Sequence, residues 1–364
     1  MRITDLETPA LLIDLDIMER NLRRAAEYTR AHHLRLRPHT KTHKTPALAR
    51  RQLDLGAVGL TVAKVGEAEV MLGAQPPDLL VAYPIVGRSK IERLAEVARH
   101  TRVTVALDNL VVARGLSDGA CQGQVTFGVL AEMEAGFNRV GVAPGGDLVK
   151  LVQGIASLPG LTWEGVIFYP GQIHGVDKGS LNELHAVDDL LQHALGELRR
   201  AGFEARVVSG GSTPTLYQSH LVTGMNEIRP GTYIFNDKNT WATSACGLED
   251  CAATMLVTVV STARPGQAII DGGSKTFSSD QLNTGGDAGF GYVVEEPQAA
   301  FTKMNEEHGF LDIRRAAREF SIGDRLRILP NHVCTAVNLQ EKLYGIRGEL
   351  VEEEWCVEGR GKLR

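Results

Sequence analysis

Cysteine is scarce and uneven in this chain. Its five residues in 364 (Cys121, Cys246, Cys251, Cys334, Cys356) form no CxxC pair, which argues against a disulfide framework or a structural zinc knuckle and makes a reducing cytoplasm the expected home. The N-terminal "MRITDLETPALLIDLD" has no basic stretch followed by a long apolar core, and no later run reaches the roughly 18 apolar residues of a membrane span. Neither a signal peptide nor a transmembrane segment is expected. No cationic excess exists either: the net charge is -5 and the pI about 6.1, so a nucleic-acid surface is not expected. Internal repeats and low-complexity linkers are absent as well, which suggests closely packed domains.

What is present is a soluble globular composition, 43% hydrophobic and 23% charged, long enough for two domains or for a barrel with an appendage. Eight short apolar runs recur at 34–38, 58–63, 79–84, 102–108, 124–132, 163–171, 205–211 and 227–235. Segments such as "GRSKIERLAEVARH" and "SLNELHAVDDLLQHALGELRRAG" separate them with the i, i+3, i+4 pattern of outer helices. Eight strands alternating with helices predict a (β/α)8 TIM barrel over residues 15–240. An open doubly wound sheet would place glycines in its first strand-to-helix turn, and "RPHTKTHK" has none. From residue 241 the grammar changes to strands punctuated by Gly, Pro, Asn and Asp, with one helical candidate at 312–319. Residues 1–14 and 241–364 are therefore read as a mostly β domain.

In a barrel, chemistry sits at the C-terminal ends of the strands. Pro38 ends the first run, and Thr45-Pro46 reads as an N-cap followed by proline at the first helical position. Lys41 and Lys44 fall between them, where a lysine can form a Schiff base with a carbonyl. "SGGSTPT" (209–215) and "RPGTY" (229–233) supply glycine-rich turns at the seventh and eighth strands, the usual phosphate cradle of barrels. A lysine with such turns outlines a phosphorylated aldehyde cofactor. In "PNHVC", a strand would point His332 and Cys334 to one face, an imidazole and a thiolate for a single metal.

The chain resembles the fold-type III pyridoxal-phosphate (PLP) enzymes, and within them the D-threonine aldolase and D-serine dehydratase group, whose architecture is alanine racemase-like. The resemblance rests on "TPALLIDLD", "RPHTKTHK", "GAVGLTVAKVGEAEV", "EAGFNRVGV", "VSGGSTPT", "NEIRPGTYIFND", "DGGSK", "EEHG" and "PNHVCTAVNL", in that order. It implies Lys41 of the "PHxK" element as the cofactor anchor, Arg139 as partner of the phenolic oxygen, and Tyr169 against the pyridine ring. Ser209, Gly210, Gly211, Ser212, Thr213, Gly231, Thr232 and Tyr233 become the phosphate candidates. It further implies a divalent metal on His332 and Cys334, zinc or manganese ahead of magnesium, with His308 in a supporting role. His174 in "YPGQIHG" is the candidate base.

The implied reaction acts on a small β-hydroxy-D-amino acid, and the same parts serve two outcomes. Retro-aldol cleavage, the D-threonine aldolase reaction, gives glycine and an aldehyde; dehydration of D-serine or 3-hydroxy-D-aspartate gives a 2-oxo acid and ammonia. "GLTVAKVGEAEV" and "VAYP" resemble the aldolases more, Cys334 the dehydratases, and the aldolase reaction is the expectation. The alternatives fit less well. A PLP homeostasis protein is a barrel alone, and alanine racemase carries a "KANAYG"-like element where "KTHKTP" stands. A homodimer is the usual assembly of the group.

Overall fold

The computed structural model describes residues 1–282 and 289–364. The chain forms two compact units: Arg24–Lys41, Pro46–Gly231 and Gly361–Arg364 make one, and Met1–Arg23, Thr42–Thr45 and Thr232–Arg360 the other. Strand β1 (Ala10–Asp14) and helix α1 (Leu15–Ala31) open the chain. Then strands and helices alternate: β2 (Arg35–Leu36), α2 (Pro46–Asp54), β3 (Leu60–Val62), α3 (Val65–Met71), β4 (Asp78–Val81), α4 (Arg88–Ala98), β5 (Arg102–Leu107), α5 (Leu110–Gly123), β6 (Phe127–Glu132), α6 (Gly146–Ala156), β7 (Leu161–Ile167), α7 (Lys178–Arg200), β8 (Val207–Gly210), a 3-10 helix (Leu216–Leu221) and β9 (Glu227–Ile228). Each of the eight apolar runs contributes one parallel strand.

The eight-stranded sheet runs β2-β9-β8-β7-β6-β5-β4-β3. It closes on itself where residues 36–40 meet β3: Val58 N–H donates to the Leu36 carbonyl at 2.9 Å, Thr61 N–H to Pro38 at 2.8 Å and Thr40 N–H to Thr61 at 2.8 Å, with a parallel bridge between His39 and Thr61. The structure is thus the expected (β/α)8 barrel. Helix α7 shows why the segments alternate. Asp177 caps it, accepting from Ser180 N–H at 2.8 Å, and Leu184, Val187, Leu191, Ala194 and Leu198 recur every three or four positions as its buried stripe. In β7, Gly165 sits at φ +151, where an added Cβ would collide with the Val207 backbone, so glycine permits the close approach of β8.

The last run is shorter than the sequence suggests. β9 stops at Ile228, and Thr232–Ile234 form a 3-10 turn, because Pro230 has no N–H to continue a ladder. Gly231, Thr232 and Tyr233 therefore follow the strand instead of lying in it.

Inside the barrel, the buried residues Leu80, Ala106, Leu130, Ile167 and Val207 pack together. Beside them Glu227, wholly inaccessible, accepts from Ser209 Oγ at 2.7 Å and faces Arg37 Nε at 3.0 Å. Arg37 also donates to Asp78 at 2.8 Å. Arg102 and Arg206 pair with Glu164. Burial alone would lower the Arg37 pKa, but Glu227 and Asp78 outweigh it and raise it.

The other unit is a nine-stranded sheet. Its strands are β1, β10 (Ala253–Ser261), β11 (Gln267–Ile270), β12 (Gly291–Val293), β13 (Ala300–Met304), β14 (Gly309–Asp312), β15 (Arg325–Pro330), β16 (Lys342–Arg347) and β17 (Leu350–Cys356), in the order β11-β14-β13-β12-β15-β10-β1-β16-β17, with β10 also pairing β11. Three short helices accompany it: α8 (Lys238–Ala242), α9 (Ser274–Phe277) and α10 (Val333–Leu339). The helix expected at 312–319 does not form. Asp312 ends β14 and its Oδ1 accepts from the N–H of Arg314 at 3.1 Å, a local bond that competes with helical pairing. Among the described residues no helix is long and apolar enough to cross a membrane.

Because Glu227 is buried against Arg37, Glu227→Ala should leave that buried cation with Asp78 as its remaining carboxylate. Loss of one partner of a buried pair costs about 3–5 kcal/mol. Chemical denaturation followed by far-UV circular dichroism should show that loss as a lowered midpoint; an unchanged midpoint would mean that water reaches Arg37.

Candidate active site

In the barrel unit, the first strand delivers Lys41. The residues before it are held on both flanks: Arg37 N–H donates to Ile228 and His39 N–H to Pro230, at 2.9 and 3.0 Å, on one side, and Thr61 pairs on the other. Lys41 N–H turns to His39 Nδ1 at 3.3 Å. The Lys41 side chain is exposed and has no partner among the described residues. Lys44 differs: it is buried, sits at φ +55, and its carbonyl accepts from Gly359 N–H at 2.9 Å.

Arg139 lies in the loop after β6. Glu134 Oε1 accepts from Gly136 N–H at 2.8 Å and Asn138 N–H at 2.7 Å, which fixes the loop's curl. Partial burial would raise the Glu134 pKa, but these backbone donors outweigh it and hold it below the ordinary carboxylate range. The Arg139 guanidinium then lies 4.8 Å from the Tyr169 ring centroid and 5.3 Å from that of Phe137, while the two rings meet edge to face at 5.4 Å. Tyr169 follows the end of β7. His174 is exposed in the connection from β7 to α7.

At the end of β8, Gly210 and Gly211 are buried, as is Ser212. Gly211 takes the left-handed φ of +78. Among the described residues the N–H groups of Gly211 and Ser212 meet no acceptor. Buried backbone donors are normally paired, and two in succession at a left-handed turn form a nest for an anion. Ser212 Oγ contacts Thr215 Oγ1 at 3.2 Å, and Thr213 follows half-buried. Ser209 is committed elsewhere: its hydroxyl donates to Glu227 and accepts from Arg229 NH1 at 2.7 Å. Gly231 ends this unit's chain segment.

Arg229 and Glu132 were not singled out from the sequence. Arg229, buried, also donates to the Phe168 carbonyl at 2.9 Å. Burial lowers its pKa to about 10 against the pull of Glu227 and Glu132. Burial likewise raises Glu132, with Arg229 and Arg139 opposing. Charged residues inside an apolar run were the available signal.

In the β unit, His332 and Cys334 leave the strand. β15 ends at Pro330, His332 is the N-cap of α10 and Cys334 lies in its first turn. The strand geometry expected for "PNHVC" is thus replaced. Within a helix, i and i+2 do not face each other, but His332 is extended, at φ -136 and ψ 105, and its imidazole hydrogen-bonds Cys334. Cys334 Sγ is 3.2 Å from Thr42 Oγ1 and 3.7 Å from Thr232 Oγ1. Tyr233 is buried.

Buried Asp237 pins this corner. Its Oδ1 accepts from Thr240 N–H at 3.0 Å, capping α8, and its Oδ2 accepts from Val333 N–H at 3.0 Å. Burial raises the Asp237 pKa; His332 and the backbone donors oppose. Burial alone would lower His332, but Cys334, Asp237 and Asp280 outweigh it and carry its pKa up to about 10. Among the described residues no three His, Cys, Asp or Glu side chains cluster as a complete metal site, so this corner offers an imidazole and a thiol. His308 is exposed in the turn between β13 and β14.

Residues 13–239 match the family model "Alanine racemase, N-terminal domain" and residues 252–346 match "Putative serine dehydratase domain". The D-threo-3-hydroxyaspartate dehydratase of Delftia sp. is 34% identical over 90% of this chain and 91% of its own. The crystal structure of D-threonine aldolase from Filomicrobium marinum superposes with a TM-score of 0.94 at 32% identity, covering 100% of this chain and 98% of that one. A variant of a D-threo-3-hydroxyaspartate dehydratase, solved in a metal-free form, gives 0.89 at 30% identity over 98% of both. Together with the barrel, its rim lysine and the anion nest, these matches establish that the chain belongs to the D-threonine aldolase and D-serine dehydratase family of alanine racemase-like, PLP-dependent lyases.

Proposed function

We propose that this chain is a D-threonine aldolase, cleaving β-hydroxy-D-amino acids to glycine and an aldehyde with PLP and a divalent metal. The observation that carries the reading is the likeness to a D-threonine aldolase along the whole chain, at a TM-score of 0.94. The donors fit the groups such a reaction needs. Among the described residues the N–H groups of Gly211 and Ser212 and the amine of Lys41 have no partner; the former suit a phosphate, the latter an aldehyde, and an imidazole beside a thiol suits zinc ahead of magnesium, with manganese the other candidate.

When bound, the cofactor supplies an electron sink for the bond broken at Cα, and the metal a Lewis acid for the β-hydroxyl. This chain's residues do the rest. Lys41 would hold the aldehyde carbon, and the Gly211–Ser212 turn, with Gly210, Thr213, Gly231, Thr232 and Tyr233 as further candidates, would hold the phosphate. Tyr169 would pack against the pyridine ring and Arg139 would pair with its phenolic oxygen. His332 and Cys334 supply the two metal ligands. His174 would take the hydroxyl proton as the Cα–Cβ electron pair moves to Cα and the aldehyde departs, and return of one proton to Cα would complete glycine.

Dehydration is the second reading, favoured by Cys334, which resembles the dehydratases more. In that case the Cα proton and the hydroxide leave instead. The usual assembly of the family supports a homodimer, and the five free cysteines fit a cytoplasmic home.

Incubation with D-threonine, and separately D-serine, in the presence of zinc or manganese should yield acetaldehyde and glycine from the first in excess over 2-oxo acid and ammonia from either. Predominant 2-oxo acid would reject the aldolase assignment in favour of the dehydratase. Lys41→Ala should abolish the yellow absorbance of the purified protein, whereas Lys44→Gly, which tolerates the left-handed backbone, should retain it. The reverse pattern would move the anchor to Lys44.

A further inference from the structure

Asp280 is absent from the ligand pair, yet its carboxylate meets the His332 ring: Asp280 Oδ2 lies 2.7 Å from His332 Nδ1. The same oxygen accepts from Thr335 Oγ1 at 2.9 Å. Its backbone is tied too, with Asp280 N–H donating to Ser278 Oγ at 3.2 Å and its carbonyl accepting from Asn331 Nδ2 at 3.0 Å. Ser278 Oγ in turn contacts Thr335 Oγ1 at 3.1 Å.

The chain reaches this position under strain. Ser278, the C-cap of α9, adopts φ 69 and ψ 176, a region populated almost only by glycine and strained for any other residue. A surface ion pair would not call for such a bend, since exposed pairs contribute little to stability. Both side chains are 39% accessible, so the pair alone does not repay the strain.

We infer that Asp280 is a positioning residue that orients His332 for metal binding by accepting the Nδ1 proton. With Nδ1–H held by Asp280, the imidazole lone pair resides on Nε2 and the ring cannot swing. The negative carboxylate also makes that lone pair a stronger donor. Thr335, one turn into α10, holds the accepting oxygen in place. The inference rests on the reading of His332 and Cys334 as metal ligands.

The test is the zinc affinity of the full chain carrying its cofactor, stripped of metal and titrated with Zn²⁺ against a chromophoric chelator, with melting temperature and cofactor absorbance recorded alongside. Asp280→Ala should weaken Zn²⁺ binding roughly 10–100-fold while the cofactor absorbance stays. Asp280→Asn, whose amide oxygen still accepts the proton but without charge, should fall between the two. Wild-type affinity in both Asp280 variants, with binding lost in His332→Ala, overturns the inference and leaves the ligand reading intact. Wild-type affinity in His332→Ala overturns the ligand reading itself. Should Asp280→Ala unfold, Asp280→Asn decides alone: weakened binding supports the inference and unchanged binding rejects it.

Discussion

The barrel depends on a narrow seam. Residues 36–40 must pair with β9 on one side and β3 on the other, yet β2 and β9 are two residues long, because Pro38 and Pro230 cut both ladders short. The backbone bonds there are few, and charge supplements them: Arg37, leaving β2, is buried against Glu227 of β9 and Asp78 of β4. The seam also determines where Lys41 emerges. Prolines that weaken the ladder free the chain to turn outward at the rim, and the ion pair holds it closed just below.

A similar economy operates in the β unit, where buried Asp237 accepts from the first turns of both α8 and α10. Helices of five and seven residues are too short to persist on propensity. A carboxylate at two helix N-termini supplies the missing partner for each and benefits from both dipoles. The consequence is chemical as well as structural: with Val333 N–H fixed, His332 becomes an extended N-cap and its ring can turn back toward Cys334.

These tertiary devices mark the limit of what was legible in the sequence. All eight barrel strands could be read, since strands buried on both faces are nearly continuous in apolar residues, and the helices between them carried their own period. Strand ends could be read less well: "EIRPGTYIF" is apolar through Phe235, but Pro230 decides the matter locally. "LDIRRAARE" has a helical period and forms none, because Asp312 captures the Arg314 amide first. α9 and α10 carried no visible signal because the acceptors at their N-termini lie on distant residues; α8 has a local cap in Asp237 but only five residues to carry a period. In the candidate site, lysine, glycine, histidine and cysteine stood out by type and order. Asp237, Asp280, Arg229 and Glu132 did not, since a carboxylate or guanidinium turned inward has the same letter as one turned to water.

On the proposed roles, the two reactions open to this family would share their anchor, sink and metal, so selection between them would lie in what takes the proton and from which atom. A retro-aldol cleavage needs a base at the hydroxyl, and the rim segment that follows β7 is where this chain has His174. That segment is tied to the Arg139 loop twice: Gln172 Nε2 donates to the Ala135 carbonyl at 2.8 Å, and Tyr169 is sandwiched against Phe137 and Arg139. A shift of one loop is therefore carried to the other. On the proposed roles, the group facing the cofactor's phenolic oxygen and the group receiving the hydroxyl proton would be positioned by a single aromatic and hydrogen-bonded junction, and reaction choice would follow from its geometry more than from the identity of the metal ligand.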